Sequence, residues 1–202
     1  MNLLILFLGY LFGSFPSGYL AGKFTKGIDI RLLGSGSTGA TNVLRHIGKR
    51  AAITVFLIDI SKGLLSILLA KYFLLNDSWQ VAVGLSTLIG HIWPVWLNWK
   101  GGKAVATGLG VFLGISWQVG LTTLGIFLLM IALFRIVSLA SVSAALSLPL
   151  IMYISFNNSS ISLPFLVISL LAMTLVIWRH RENIGRLIKG KEPRIGKQKK
   201  IK

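Results

Sequence analysis

The sequence predicts an all-α, polytopic integral membrane protein, with about seven transmembrane helices in one bundle, the N-terminus external and the C-terminus cytoplasmic. Three observations predict it. Of 202 residues, 54% are hydrophobic and 13% charged, with a mean hydropathy of +0.77, a balance outside that of soluble domains. Apolar runs long enough to cross a bilayer recur along the chain. Basic residues gather in alternate connecting segments, as they do on the cytoplasmic side of membrane proteins. No hydrophilic stretch is long enough for a second domain, so residues 1–202 read as a single transmembrane domain with a basic, flexible tail from about 193 to 202.

The elements follow in order. Leu3 to Leu20 is apolar, and nothing basic precedes it, which argues for a retained first span rather than a cleaved signal peptide. Pro16 and its neighbouring glycines predict a kink there. Lys23 to Arg50 is the first polar segment. Ala51 to Ala70 is the second span; Asp59 and Lys62 lie three apart within it, on one helical face, and read as a structural pair facing the bundle interior. Lys71 to Ser78 is a short loop and Trp79 to Trp99 the third span, its end crowded with Trp93, Trp96 and Trp99, which read as interfacial anchors. Ala104 to Phe134 is too long for one span of ~20 residues. Lys100 and Lys103 before it and Arg135 after it belong on one side, so it reads as two short helices turning near Trp117-Gln118. Val137 to Ser155 is the sixth span, Asn157 to Ser160 a loop, Ile161 to Trp178 the seventh span, and Arg179 onward a basic, lipid-contacting tail.

The net charge is +16, from 21 Lys+Arg against 5 Asp+Glu. On a membrane protein such charge favours anionic headgroups and anionic substrates over nucleic acid. The absence of cysteine excludes disulfides, thiolate metal sites and a cysteine nucleophile. The three histidines, His46, His91 and His180, are too scattered for a metal cluster. No metal and no cofactor is expected.

The predicted topology brings three unusual clusters to one membrane face. The first is Gly34-Ser35-Gly36-Ser37-Thr38-Gly39-Ala40-Thr41-Asn42, followed by Arg45. Its glycines permit tight turns that bring N–H groups close to an anion, ahead of a possible helix start. The spacing approaches that of a nucleotide-binding P-loop, but Ala40 stands where the lysine must be and no strand precedes it. A bare flexible linker is the competing reading. The second cluster runs from His91 to Thr107 and includes Gly101, Gly102 and Lys103; the third is Arg179-His180-Arg181-Glu182-Asn183, where His180 and Asn183 share a helical face. Together they offer cationic and neutral donors with few acids, the inventory of a metal-free anion site. Two classes remain open: an enzyme acting on phosphorylated lipid precursors, and an anion carrier. A carrier is expected to show midplane polar groups and internal repeats, and no repeat is evident, which favours the enzyme.

These residues resemble a known family. The first cluster, Gly90-His91-x-x-Pro94 with Gly101-Gly102-Lys103-x-Val105-Ala106-Thr107, and Arg179-His180-Arg181-Glu182-Asn183-Ile184 are similar to the three motif regions of the bacterial acyl-phosphate:glycerol-3-phosphate acyltransferases. Ser14-Phe15-Pro16-Ser17 and Asp59-Ile60-Ser61-Lys62-Gly63 also fit. The resemblance implies a multi-pass protein of the bacterial cytoplasmic (inner) membrane with its site facing the cytoplasm. It implies transfer of a fatty acyl group from acyl phosphate to glycerol 3-phosphate, giving 1-acyl-glycerol 3-phosphate (lysophosphatidic acid) and phosphate in phospholipid synthesis. It also implies absence of the His-x-x-x-x-Asp motif of other glycerolipid acyltransferases. Five residues after His46, His91 and His180 come Ala51, Trp96 and Gly185, in agreement. Ser37 stands where the family usually has asparagine, and Ala104 where it usually has glycine.

The expected roles follow from that resemblance. Ser35, His91 and Lys103 are the catalytic candidates. Gly34, Gly36, Ser37, Gly39, Thr41, Asn42, Gly101, Gly102 and Thr107 are expected to bind substrate, and Arg45, His180 and Asn183 to hold glycerol 3-phosphate. Ser35, Thr41, Asn42 and Lys103, with the loop N–H groups, are expected to hold the phosphate of acyl phosphate. His91 is expected near the reacting centre, where either it or a substrate phosphate acts as general base.

Overall fold

The computed structural model describes residues 1–158 and 161–196. Ser159 and Ser160 of the expected loop and Lys197–Lys202 of the expected tail lie outside the described residues. Every regular element among the described residues is helical.

The chain begins with α1 (Asn2–Ser14) and α2 (Ser17–Lys26). Pro16, which has no N–H to donate, separates them as expected, and the pair is continuous enough to count as one 25-residue candidate span. A short 3-10 turn (Ile30–Leu32) and α3 (Ala40–His46) carry the first cluster. Then come α4 (Lys49–Tyr72) and α5 (Asp77–Ile92), the latter started by Asn76, whose side-chain oxygen accepts from Trp79 N at 3.0 Å. The expected third span is present as a 21-residue candidate span, Asp77–Leu97, in which α5 stops at Ile92 and the chain continues through a 3-10 turn at Val95–Leu97.

The run from Ala104 to Phe134 does split in two, as α6 (Val105–Ile115) and α7 (Trp117–Phe134), with Ser116 between them accepting from Val119 N. The two are unequal. α7 has spanning length, whereas the 11 residues of α6 reach only about 16 Å at 1.5 Å per residue. α8 (Val137–Asn157) follows, then α9 (Leu163–Arg179) and α10 (Arg181–Ile188), bent 62° from each other around His180. By length and composition, five described segments can cross a membrane, or six if α9 and α10 count together.

Small residues set the packing. Without side chains, Gly63 of α4 and Gly110 of α6 let those helices meet backbone to backbone: a Cβ on Gly63 would fall 2.1 Å from Thr107 O, and one on Gly110 2.0 Å from Ile60 O. Gly13 meets Thr87 O of α5 in the same way, at 2.0 Å. Such contacts substitute for a hydrophobic drive that lipid does not supply. The tryptophans divide their work. Trp96 and Trp99 are exposed, but Trp96 Nε1 also donates to Ser14 Oγ at 2.9 Å, and Trp93 packs on Trp178 with ring centroids 5.6 Å apart.

Candidate functional site

One polar cavity gathers the three clusters. Ser35, Ser37, Gly39, Thr41, Asn42 and Arg45 line it from the first loop and α3, His91 from the end of α5, Lys103 from the turn before α6, and His180 and Asn183 from the α9–α10 bend. Gly34, Gly36, Gly101, Gly102 and Thr107 are expected there but do not line it.

The first loop is shaped by Asn42. Its side chain is 1% exposed. Nδ2 donates to the carbonyls of Ile30 (3.0 Å), Leu33 (3.0 Å) and Ser37 (2.9 Å), and Oδ1 accepts from Ser35 N at 3.2 Å. The amide thus binds its own loop while Asn42 also lines the cavity. Gly34 has φ +58°, and a Cβ there would lie 2.5 Å from Asn42 Oδ1. Ser37 is also turned inward: its Oγ accepts from Gly39 N at 3.3 Å. Ser35, Thr41 and Arg45 are left as the loop's side chains at the cavity. Outside the cavity, Arg31 ties the loop to the second cluster by donating to Leu97 O at 2.8 Å. It is held by Asp29, whose carboxyl its hydrogen bonds keep below the usual range.

The second cluster is folded onto the end of α5. Gly102 N donates to His91 O at 3.0 Å, and Gly101 N to Ile92 O at 3.1 Å. Both glycines thus direct their N–H groups at carbonyls of the α5 end. Their work is to let the turn approach: a Cβ on Gly102 would stand 2.0 Å from His91 Nε2. Thr107 is fully buried beneath the ring, its Oγ1 3.0 Å from His91 Nδ1. The turn delivers Lys103, whose pKa is lowered to about 8, chiefly by burial and with help from Arg186 and Arg179, against Glu192 and Glu182.

At the α9–α10 bend, His180 Nδ1 lies 2.8 Å from Val176 O. A carbonyl only accepts, so Nδ1 carries a proton, and in the neutral ring Nε2 is left as an acceptor at the cavity. Asn183 Oδ1 accepts from Lys103 Nζ, and its Nδ2 donates to Glu192 Oε1 at 2.6 Å.

Glu192 is a residue that motif reasoning missed. It is 7% exposed and also accepts from Arg186 Nε at 2.7 Å. Burial raises its pKa, but the hydrogen bonds from Asn183 and Arg186 outweigh that and hold it below the usual carboxylate range. The one sequence signal was an acid inside a strongly basic stretch. Ser138 and Ser141, buried three apart in the first turns of α8, line the cavity as well, as does Asp59. Among the described residues no group of three or more His, Cys, Asp or Glu side chains is arranged to hold a metal ion.

The polar cavity opens onto an apolar one. Phe56, Ala104, Val105, Ala106, Phe127 and Ser141 line both, and the apolar part continues between α6, α7, α8 and α9 past Leu109, Phe112, Leu148 and Ala172. The site thus joins a cationic, hydrogen-bonding head to a hydrocarbon-lined groove.

Comparison with known proteins adds names to this geometry. The model of a family described as glycerol-3-phosphate acyltransferase matches residues 3–190. A glycerol-3-phosphate acyltransferase of Prochlorococcus marinus (strain NATL2A) is 85% identical over 196 residues, covering 97% of this chain and 99% of that one. Another, of Parasynechococcus marenigrum, is 61% identical over 196 residues, covering 97% and 91%. The crystal structure of PlsY (YgiH), an integral membrane glycerol 3-phosphate acyltransferase, in its glycerol 3-phosphate form is similar with a TM-score of 0.90 and 38% identity over 96% of both chains. Its lysophosphatidic acid form gives a TM-score of 0.87 at 38% identity, covering 96% and 95%.

Proposed function

We infer the reaction from the premise that these matches supply: the chain belongs to the glycerol-3-phosphate acyltransferase family. It is a membrane acyltransferase that uses glycerol 3-phosphate as acceptor, a step of phospholipid synthesis. The finer reading is that the donor is acyl phosphate. The observation that carries it is the continuity of the cationic cavity with the apolar groove. A molecule with a phosphate head directly on a fatty acyl chain suits that junction. Its carbonyl would lie near Ala104, where the two parts meet.

The chemistry asks little covalent work of the protein. An acyl phosphate is an activated acid with a good leaving group, so no enzyme thiol is needed, and the chain has none. The glycerol hydroxyl oxygen attacks the acyl carbon, the C–O bond to phosphate breaks, and the hydroxyl proton passes to the departing phosphate or to a side-chain acceptor. Lys103, Ser35 and Thr41 hold the donor phosphate and steady its growing charge; one lost donor of this kind typically costs ~10²–10³ in rate. Arg45, His180 and Asn183 hold and orient glycerol 3-phosphate, with Nε2 of His180 as acceptor for a hydroxyl. Asn42, Gly34, Gly36, Gly101, Gly102 and Thr107 act behind these side chains, by shaping the two turns. The cavity faces the cytoplasm of a bacterial inner membrane in this reading, because Lys100, Lys103, Arg179 and Arg181 gather on its side.

The test is phosphate release by purified protein in a lipid mesophase with palmitoyl phosphate, with and without glycerol 3-phosphate, and with acyl-CoA as the alternative donor. Release that requires glycerol 3-phosphate and yields lysophosphatidic acid, with acyl-CoA inert, is expected. Turnover of acyl-CoA at a comparable rate would overturn the donor assignment.

A further inference from the structure

Asp59 is the buried acid that the roles above leave unused. It sits on α4 at 1% exposure, lines the cavity, and is held from two sides. Ser17 Oγ donates to its Oδ1 at 2.6 Å and Lys62 Nζ at 2.7 Å, and Lys62 also donates to Ser17 Oγ at 3.3 Å. A buried ion pair is a weak device for stability alone, since an apolar replacement of both partners is often neutral. An ionisable residue inside a membrane protein ordinarily marks function.

What Asp59 faces is His91. Nδ1 of the ring is 3.9 Å from Asp59 Oδ1 and 3.0 Å from Thr107 Oγ1, while Nε2 occupies the space that a side chain on Gly102 would need. A neutral imidazole carries one proton, and its tautomer is set by what the two nitrogens meet. A carboxylate this close to Nδ1 favours the proton there, and Thr107 Oγ1 is in place to accept its hydrogen bond. Nε2 then keeps its lone pair at the turn that carries Lys103.

We propose that Asp59 is a positioning residue that holds His91 in the Nδ1–H tautomer, leaving Nε2 as a bare acceptor at the Gly101-Gly102-Lys103 turn. Ser17 and Lys62 aim the carboxylate, Thr107 completes the orientation, and Gly102 leaves room for the acceptor. What Nε2 accepts during turnover rests on the acyl-transfer reading; the tautomer does not.

The experiment is nitrogen NMR of protein labelled with ¹⁵N-histidine, the three rings assigned by single His→Gln variants, together with steady-state kinetics on palmitoyl phosphate. In the wild-type protein His91 should show a protonated Nδ1 and an unprotonated Nε2. Asp59→Asn alone strands the Lys62 charge, so the decisive variant is D59N/K62M, which removes both charges and keeps an acceptor for Ser17. It should fold with near wild-type thermal stability, show mixed His91 tautomers, and lose roughly tenfold or more in kcat with less than threefold change in KM. Thr107→Val, which leaves the ion pair intact, should mix the tautomers in the same way. A wild-type spectrum with the proton on Nε2 or on both nitrogens would overturn the proposal. So would D59N/K62M with wild-type tautomer and kcat, which would reduce Asp59 to a counter-ion for Lys62. No phosphate release from palmitoyl phosphate by the wild-type protein, with His91 showing the expected Nδ1–H spectrum, would count against the donor assignment and leave the positioning role standing.

Discussion

Replacing Gly102 by alanine tests the link between His91 and Lys103 with one carbon atom. The new Cβ would stand 2.0 Å from His91 Nε2, 2.8 Å from Cδ2 and 2.9 Å from Cε1. Ordinary contact is ~3.5–4.0 Å, so ring and turn must separate by roughly 1.5 Å. The ring cannot retreat without leaving Thr107 Oγ1, 3.0 Å from its Nδ1. The turn cannot retreat without weakening Gly102 N to His91 O at 3.0 Å, and Arg179 Nε to Gly102 O at 3.2 Å. Either way a buried hydrogen bond worth ~1–3 kcal/mol is lost, and Lys103 moves by an amount that near a reacting centre costs ~10²-fold. The expected result is a folded protein whose kcat/KM for palmitoyl phosphate falls about 10²-fold, measured by phosphate release with both substrates varied. Gly125→Ala is the control: its Cβ would meet nothing within 4 Å, and the rate should stay near wild type. A Gly102→Ala enzyme within threefold of wild type would refute the idea that the ring props the turn.

Other expectations follow from the same geometry. On the proposed role of Lys103 as the cation that holds phosphate, kcat/KM should be level well below the lysine pKa of about 8 and decline as pH rises through it; K103R, charged throughout, should lose that alkaline limb. The unfolded chain binds the Lys103 proton more tightly, so this group makes stability rise with pH between about 8 and its unperturbed value of 10.5, as thermal unfolding across that window would register. Asn42→Asp places a carboxylate against three carbonyl oxygens it cannot donate to, and should cost about 3 kcal/mol or more; an unchanged unfolding midpoint would contradict the scaffold role. Because the chain has no cysteine, single cysteines at Phe24, Leu74 and Ile188 report topology directly. With the expected orientation, a membrane-impermeant thiol reagent applied to intact cells labels Leu74→Cys and spares Phe24→Cys and Ile188→Cys, and the reverse pattern would invert the bundle.

Much of this was legible in the sequence, and the gaps have physical causes. Pro16 announced the α1–α2 break and Arg135 the turn before α8, because each acts locally. Hydropathy and charge found the apolar run from Ala104 to Phe134 and its two short helices but not their unequal lengths, since neither signal reports depth; Gly110 and Gly114 let the shorter α6 pack inside the bundle against α4. The motif residues were found, but their division of labour was not. Asn42, Gly101 and Gly102 carry donors that suit a phosphate, and only the folded loops bring carbonyls of Ile30, Leu33, Ser37, His91 and Ile92 onto them. Glu192 was invisible for a similar reason. A glutamate in a basic segment reads as a solvated charge until the chain turns back, with Ile195 N bonded to Arg135 O at 2.7 Å, and presses it against Asn183 and Arg186.

The two buried acids make sense of the cavity's charge. A site lined by Lys103 and Arg45, with Arg186 behind Glu192, would bind phosphate tightly and release it slowly if nothing opposed the cations. Glu192 and Asp59, which also line the cavity, oppose them, each facing a side chain that touches it, Asn183 in one case and His91 in the other. Glu192 fixes which end of the Asn183 amide Lys103 meets, since Nδ2 must face the carboxylate and Oδ1 the ammonium. The acids therefore do two things at once: they moderate the field at the cavity and orient the neutral groups within it. Exchanging Glu192 for glutamine separates the two. The amide keeps one acceptor for Asn183 or Arg186 but loses the charge, so Lys103 should deprotonate at lower pH and the alkaline limb of kcat/KM should move down with it. An unmoved limb would mean that Glu192 acts through geometry alone.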